Sequence, residues 1–187
     1  QYREDAKLIR NVASKHVEQI RTNLRIAEKA ISIDPLTKLG NRNAFDLQIS
    51  FAISRLAHGD AYSLAILDVD KFKSINDSYG HLGGDAALIA ISKRLTETFS
   101  QIGTTVVRFG GDEFAILYKG PKLQLAAKME RVNFSLAKTS FEYNGSKIDL
   151  HASYGVIDLS SDHTPDSAFA DADYAMYQSK RGKQSAA

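Results

Sequence analysis

The sequence predicts an α+β fold of ferredoxin-like arrangement: a central antiparallel sheet of four main strands, helices on one face, and a separate helix in front. Three observations lead there. Apolar runs and helical patterns follow one another in the order β-α-α-β-β-α-β-α. Two of the runs, TVVRF and FAILY, are separated only by Gly110-Gly111-Asp112-Glu113, a hairpin signal. Residues 1–33 contain no Gly or Pro and are rich in helix formers.

In that first segment Ala13, Val17, Ile20, Leu24, Ala27 and Ile31 alternate in steps of four and three, the a/d seam of a coiled coil. An amphipathic helix packed on its own domain is the alternative. Asp34-Pro35 ends the helix, because a residue before proline disfavours the α region, and the domain boundary is placed at 33/34. DPLTKLGNRNAF is a turn-rich link. A helix is predicted from about Asn43 to His58, with Phe45, Ile49, Ala52, Ile53 and Leu56 on one side. YSLAILDV (62–69) is a short, buried-type strand ending in Asp68-Val69-Asp70. FKSINDSYG is helical and leads into a second helix, roughly Leu82 to Phe99. The TVVRF/FAILY hairpin follows, then a helix from about Leu123 to Lys138. FEYNGSKIDLHASYGVIDL is rich in strand formers, and its Asn144-Gly145 pair predicts a type I′ turn. A helix from about Pro165 to Lys180 closes the domain.

Composition narrows the function classes. With no cysteine among 187 residues, disulfides and thiolate zinc sites are excluded, which is compatible with a reducing cytoplasm. Hydrophobic residues at 43% and charged residues at 25% are ordinary for a globular protein. The formal net charge of +2 argues neither for nor against nucleic acid, and none is among the expected partners. No apolar run approaches the length that spans a bilayer, and no signal peptide is visible. The chain opens in mid-helix without a Met, and it reads as a fragment of a longer protein.

The chemistry concentrates in acids. Asp68 closes an apolar strand, and Asp112 and Glu113 sit in the turn of an apolar hairpin. If the strands are neighbours, three carboxylates gather at one sheet edge, where they repel and acquire raised pKa values unless a cation balances them. Mg²⁺, a hard cation taking oxygen ligands and substrate phosphates, suits such a place. The alternative is a hairpin tip whose acids face water. Downstream, Lys73 suits phosphate as a point charge, and the Asn76 amide suits a base edge. Asp85 can accept from the N1 and N2 donors of guanine. Taken singly, Lys73 also reads as a surface lysine, Asn76 as a helix cap, and Asp85 as an N-cap after Gly84.

Several segments together resemble a known family. FGGDEF (109–114) is the name-giving motif of the GGDEF domains, the bacterial diguanylate cyclases. DPLTKLGNR (34–42) is similar to their opening D-x-L-T-x-L-x-N-R. LDVDKFKSINDSYGHLGGDAAL (67–88) resembles D-x-D-x-F-K-x-x-N-D-x-x-G-H-x-x-G-D-x-x-L. SYG (153–155) and DADYAMYQSK (171–180) look like the Ser-x-Gly and D-x-A-x-Y-x-x-K of the late strand and last helix. The resemblance implies the palm-type fold of nucleotidyl cyclases. It also implies an enzyme, cytoplasmic in bacteria, that joins two GTP into cyclic di-GMP and releases two pyrophosphates, each GTP held by one of two facing domains. By motif position, Asp68, the Val69 carbonyl, Asp112 and Glu113 would carry Mg²⁺ or Mn²⁺, with Asp112 also accepting a proton. Lys73 would stabilise transition-state charge; Asn76 and Asp85 would read guanine, and His81 would bind substrate; Lys180 and Lys183 would hold the triphosphate. Asp70 and Asp77 are expected in structural hydrogen bonds. The Gly110-Gly111 pair would let backbone approach the nucleotide.

Two departures stand out. Many members carry an inhibitory product site, Arg-x-x-Asp, upstream of the hairpin; Gln101 and Thr104 stand at those positions here, so no feedback inhibition through that site is expected. Lys180-Arg181-Gly182-Lys183 also leaves one residue, where the family has two, between the closing Lys and the Gly-Lys pair, which weakens the assignment of Lys183. The alternative to an active cyclase is a catalytically silent GGDEF domain that binds GTP or cyclic di-GMP. Because one domain holds half of the reacting pair, the N-terminal helix is expected to tether a homodimer by raising effective concentration. Deleting residues 1–30 should therefore lower cyclic di-GMP formation per domain at low protein concentration. Dilution series of both forms check this, and equal activity throughout would count against the tether.

Overall fold

The computed structural model describes residues 10, 13–24 and 32–185, with side chains through Arg181. The chain divides into two compact units, Gln1–Ile33 and Asp34–Ala187. In the first, residues 10 and 13–24 are helical. Val17, Ile20 and Leu24 of the expected seam are 49%, 57% and 54% exposed. Ala27 and Ile31 lie outside the described residues.

The second unit runs α1 (Arg42–Leu56), β1 (Tyr62–Val69), α2 (Phe72–Thr98), β2 (Thr104–Gly110), β3 (Glu113–Lys119), α3 (Lys122–Lys138), β4 (Phe141–Tyr143), β5 (Ser146–Ile148), β6 (Ala152–Asp158) and α4 (Pro165–Ser185). Four strands form one sheet in the order β2-β3-β1-β6, with every neighbouring pair antiparallel. This is the ferredoxin-like order. β4 and β5 form a separate hairpin turning at Asn144 (φ 48°) and Gly145 (φ 78°). Positive φ at both residues is the requirement of a type I′ turn.

Helices cover both faces of the sheet, not one as the sequence reading had it. On one face Ala65, Leu67 and Val69 of β1 pack with Leu88 and Ile91 of α2 and Met129 and Val132 of α3. On the other, Leu64 and Ile66 pack with Phe45 and Ile49 of α1 and Ala168 and Ala172 of α4. The reason lies in β1 itself. Seven of its eight residues are buried and Asp68 is half-buried, so neither face offers the polar alternation of a strand that meets water.

Local chemistry sets the joints. Asn41 caps α1, its Oδ1 accepting from the Ala44 amide at 3.2 Å. α2 is broken at Gly80 (φ 72°, ψ 173°), which gives the two helical stretches expected around it. Lys71, at φ 56°, makes the left-handed step from β1 into α2. Asp70 does structural work, its Oδ1 accepting from Ser153 Oγ at 2.7 Å.

Gly155 governs how closely α4 approaches β6. A Cβ there would overlap the backbone nitrogen of Met176 and the carbonyl oxygen of Ala172. Overpacking of that kind costs about 1–3 kcal/mol. Gly155→Ala should lower the unfolding free energy by that amount, read as a lower urea midpoint with an unchanged slope. An unshifted midpoint would mean that the helix does not depend on this contact.

Candidate active site

The hairpin that opens the site is tight. β2 pairs with β3 through Gly110 opposite Glu113, which leaves Gly111 and Asp112 as the loop. Gly111 has φ +50°, a region disfavoured for residues with a Cβ. A Cβ at Gly110 or Gly111 meets nothing within 4 Å, so of this pair it is the Gly111 backbone that calls for glycine. The register shifts between Arg108 and Gly110, a bulge that turns Phe109 out of the ladder. Its ring stacks on Phe169 at 4.1 Å and meets Phe45 edge-on at 5.2 Å, which ties the hairpin to α1 and α4.

β1 is the central strand, and its end brings the acids together. Asp68 lies directly opposite Glu113 in the β1–β3 register. The Val69 amide donates to the Asp112 carbonyl at 3.2 Å. From α4, the Lys180 ammonium donates to Asp68 Oδ1 at 2.5 Å. Burial pushes the Asp112 carboxyl above the ordinary aspartate range; hydrogen bonding to its own backbone lowers it, Asp68 raises it, and Lys180 and Arg108 lower it. Burial also raises Glu113, and Asp68, Asp173 and Asp112 add to the rise against Lys180. Asp68, Asp112 and Asp173 thus all bear on Glu113, with the Lys180 charge set against them.

Among the described residues, no three acids or histidines stand together as a ready-made metal cage. The donor set nevertheless fits a hard divalent cation, which commonly takes one or two carboxylates, leaving its other positions to water and substrate phosphates. A facing Asp68–Glu113 pair at a half-buried sheet edge, with raised neighbouring carboxyls, is such a set.

A second group forms on α2. A Cβ at Gly84 would overlap the Asn76 amide oxygen and come within 3.2 Å of the Phe72 ring. The missing side chain lets the Asn76 amide lie against the helix that carries Asp85. Both Asn76 and Asp85 are half-buried. Neither is a cap, because Asn76 lies within the first helical stretch and Asp85 within the second. Lys73 and His81 are exposed. The Lys183 side chain lies outside the described residues. Beside these groups a cleft of about 720 Å³ is lined by Asp70, Lys71, Ser74, His151, Ser153 and Lys180, among others.

Two residues whose types and spacing do not mark them as part of the site, Arg108 and Asp34, brace the acidic hairpin. The Arg108 Nε and Nη2 donate to the Gly111 carbonyl at 2.9 and 2.7 Å, and Nη1 faces the Asp34 carboxylate at 3.3 Å. Asp34 Oδ1 also accepts from the Thr37 amide and hydroxyl at 2.7 and 2.6 Å. Burial raises the Asp34 carboxyl, but Thr37 and Arg108 outweigh it and hold it below the usual range. The conformation of the acidic loop is thereby tied to the first residue of its own unit. The available signal was an arginine just before a glycine pair, with an acid in a separate turn.

The chain matches the protein family described as "Diguanylate cyclase, GGDEF domain" over residues 31–186. It belongs to the GGDEF-domain diguanylate cyclase family. The domain is 34% identical over 156 residues to Diguanylate cyclase DgcP of Pseudomonas aeruginosa, covering 82% of this chain and 23% of that relative. It is 33% identical over 174 residues to Diguanylate cyclase VdcA of Vibrio cholerae, covering 91% of this chain and 50% of that relative. The chain thus spans between about a quarter and a half of these relatives' lengths. Among solved structures, the coiled coil and GGDEF domain of DgcB from Caulobacter crescentus in complex with c-di-GMP superposes with a TM-score of 0.79. The identity is 27%, and the match covers 91% of each chain. No helix among the described residues of this GGDEF domain is long and apolar enough to cross a membrane.

Raised carboxyl pKa values have a signed consequence for stability. A folded state that holds protons more tightly than the unfolded chain is favoured below the ordinary carboxylate pKa of about 4, and loses that advantage as pH rises through the raised folded value. With EDTA present, Asp112→Asn should melt about 1–4 °C above the wild type at pH 7. The gap should close as pH falls toward about 4. Thermal melts across that range check it, and a variant that melts lower at pH 7 would contradict the sign.

Proposed function

We propose that this chain is a diguanylate cyclase that condenses two GTP into cyclic di-GMP and two pyrophosphates. The observation that carries the reading is the sheet edge where Asp68 faces Glu113 across β1 and β3, with Asp112 on the intervening hairpin and Lys180 closing on Asp68. Mg²⁺ or Mn²⁺, when bound, supplies charge neutralisation at the phosphates and a lowered pKa for an attacking hydroxyl. Asp68, Asp112, Glu113 and the Val69 carbonyl are the groups assigned to hold it.

The chain's own residues supply position and charge, which is most of what phosphoryl transfer asks of a protein. Asp112, with its carboxyl raised above the ordinary aspartate range, is assigned to take the proton of the attacking 3′-hydroxyl. Lys73 and Lys180 are assigned to the phosphates, with Lys183 in the same role at the chain's end. Asn76, lying against Gly84 next to Asp85, is assigned to read guanine together with that carboxylate, and His81 to bind substrate. Adenine lacks the paired donors that Asp85 would accept, so the arrangement selects GTP over ATP.

Each domain presents one such edge, and the phosphate that is attacked belongs to the nucleotide of a second domain. The half-exposed Val17, Ile20 and Leu24 stripe supports a homodimer tethered through the N-terminal helix. Gln101 and Thr104 lack the charges of an Arg-x-x-Asp product site, which supports a cyclase that its product does not inhibit there.

Incubation with GTP, ATP and Mg²⁺, with chromatography of the products, tests the reading. Cyclic di-GMP should be the main product and should accumulate unslowed by micromolar cyclic di-GMP added at the start. Asp112→Asn should lower the rate by at least about 100-fold. Wild-type protein that binds GTP without making product would identify the silent module instead.

A further inference from the structure

Lys180 has two claims on it. Its ammonium holds Asp68 Oδ1 at 2.5 Å, between side chains 32% and 19% exposed. On the function proposed above, that carboxylate serves a divalent cation and that ammonium serves the triphosphate. A hard cation bonds carboxylate oxygen at about 2.1 Å, and a second positive charge on the same carboxylate repels it. The ammonium and the cation therefore compete for Asp68, because each weakens the other's hold on one carboxylate charge.

We propose that Lys180 is a resident counter-cation of the metal-binding carboxylate: a divalent cation competes with it for Asp68, and the ammonium that the cation drives off is thereby delivered to the triphosphate. The inference rests on the metal-site reading and extends it. Lys180 is the positive group set against both Asp112 and Glu113. Arg108, which also bears on Asp112, is committed to the Gly111 carbonyl and Asp34. A lysine suits exchange between partners, as a point charge on a flexible stem. It also has room to move, because Lys180 lines the cleft of about 720 Å³ that runs past Asp70, Lys71 and Ser74.

Exchange through one group makes the two ligands cooperative. A cation at Asp68 frees the ammonium for phosphate, and phosphate that holds the ammonium frees Asp68 for the cation; linkage requires the two effects to be equal. A lysine that only bound phosphate would leave metal affinity untouched, or would improve it only through the nucleotide.

The test uses Mn²⁺ alone, with no nucleotide, titrated into the 187-residue chain and followed by the electron paramagnetic resonance of free Mn²⁺. Lys180→Met, equal in reach and uncharged, should bind Mn²⁺ about two- to fivefold tighter than the wild type, the range expected for loss of a partly exposed ion pair. Lys180→Arg should stay within about twofold of the wild type, because it keeps the competing charge. Asp68→Asn serves as the site control and should lose most of the binding. Met-variant affinity equal to or below wild type, with Asp68→Asn deficient, overturns the counter-cation role alone. Full Mn²⁺ binding by Asp68→Asn overturns the metal-site reading beneath it. Circular-dichroism melts establish that each variant is folded.

Discussion

Two carboxylates face each other across the central strand pair of this domain. Asp68 on β1 and Glu113 on β3 are register partners, an arrangement that destabilises a sheet when the charges are alike. Much of the surrounding structure makes it tolerable. The strands that carry the acids are buried along nearly their whole length, so apolar packing on both faces holds the register that repulsion would otherwise shift. Lys180 answers the charge from α4, and α4 lies close enough because Gly155 removes the Cβ between helix and sheet. A glycine two residues after Ser153 thus bears on the electrostatics of a site it does not enter.

The hairpin is held from the opposite side by a different means. Arg108 spans from the Gly111 carbonyl to the Asp34 carboxylate, and Phe109 locks into an aromatic trio with Phe45 and Phe169. Neither residue offers a functional group to a substrate in the proposed reaction. Both restrict a loop of two residues whose glycine already sits in the left-handed region. Catalysis by charge placement gains from such restriction, because donors and acceptors that need not reorganise act at full strength when charge moves.

Much of this was legible in the residues. Alternation of apolar runs and helical patterns located the strands and helices, and Asn144-Gly145 carried its own turn. The sheet-edge acids were legible because charged residues that end apolar strands contradict their surroundings. Burial of both sheet faces was less obvious, although YSLAILDV has no polar face and in retrospect demands cover on each side. The reading of helices on one face failed because helix count and order do not say which face a helix takes; only the packing of Leu64 and Ile66 against α1 and α4 does.

By itself, the sequence determined the element order, the hairpin and the set of chemically apt residues, since each follows from local propensity, periodicity or the identity of a side chain. Tertiary structure alone decided that Asp68 lies opposite Glu113 rather than near it, that Lys180 answers Asp68 across 112 positions, and that Asp34 reaches Arg108 across 74. Those contacts depend on strand register and on the approach of α4 to β6. Both emerge from packing the whole core, where a shift of one residue would turn every side chain of a strand to the other face.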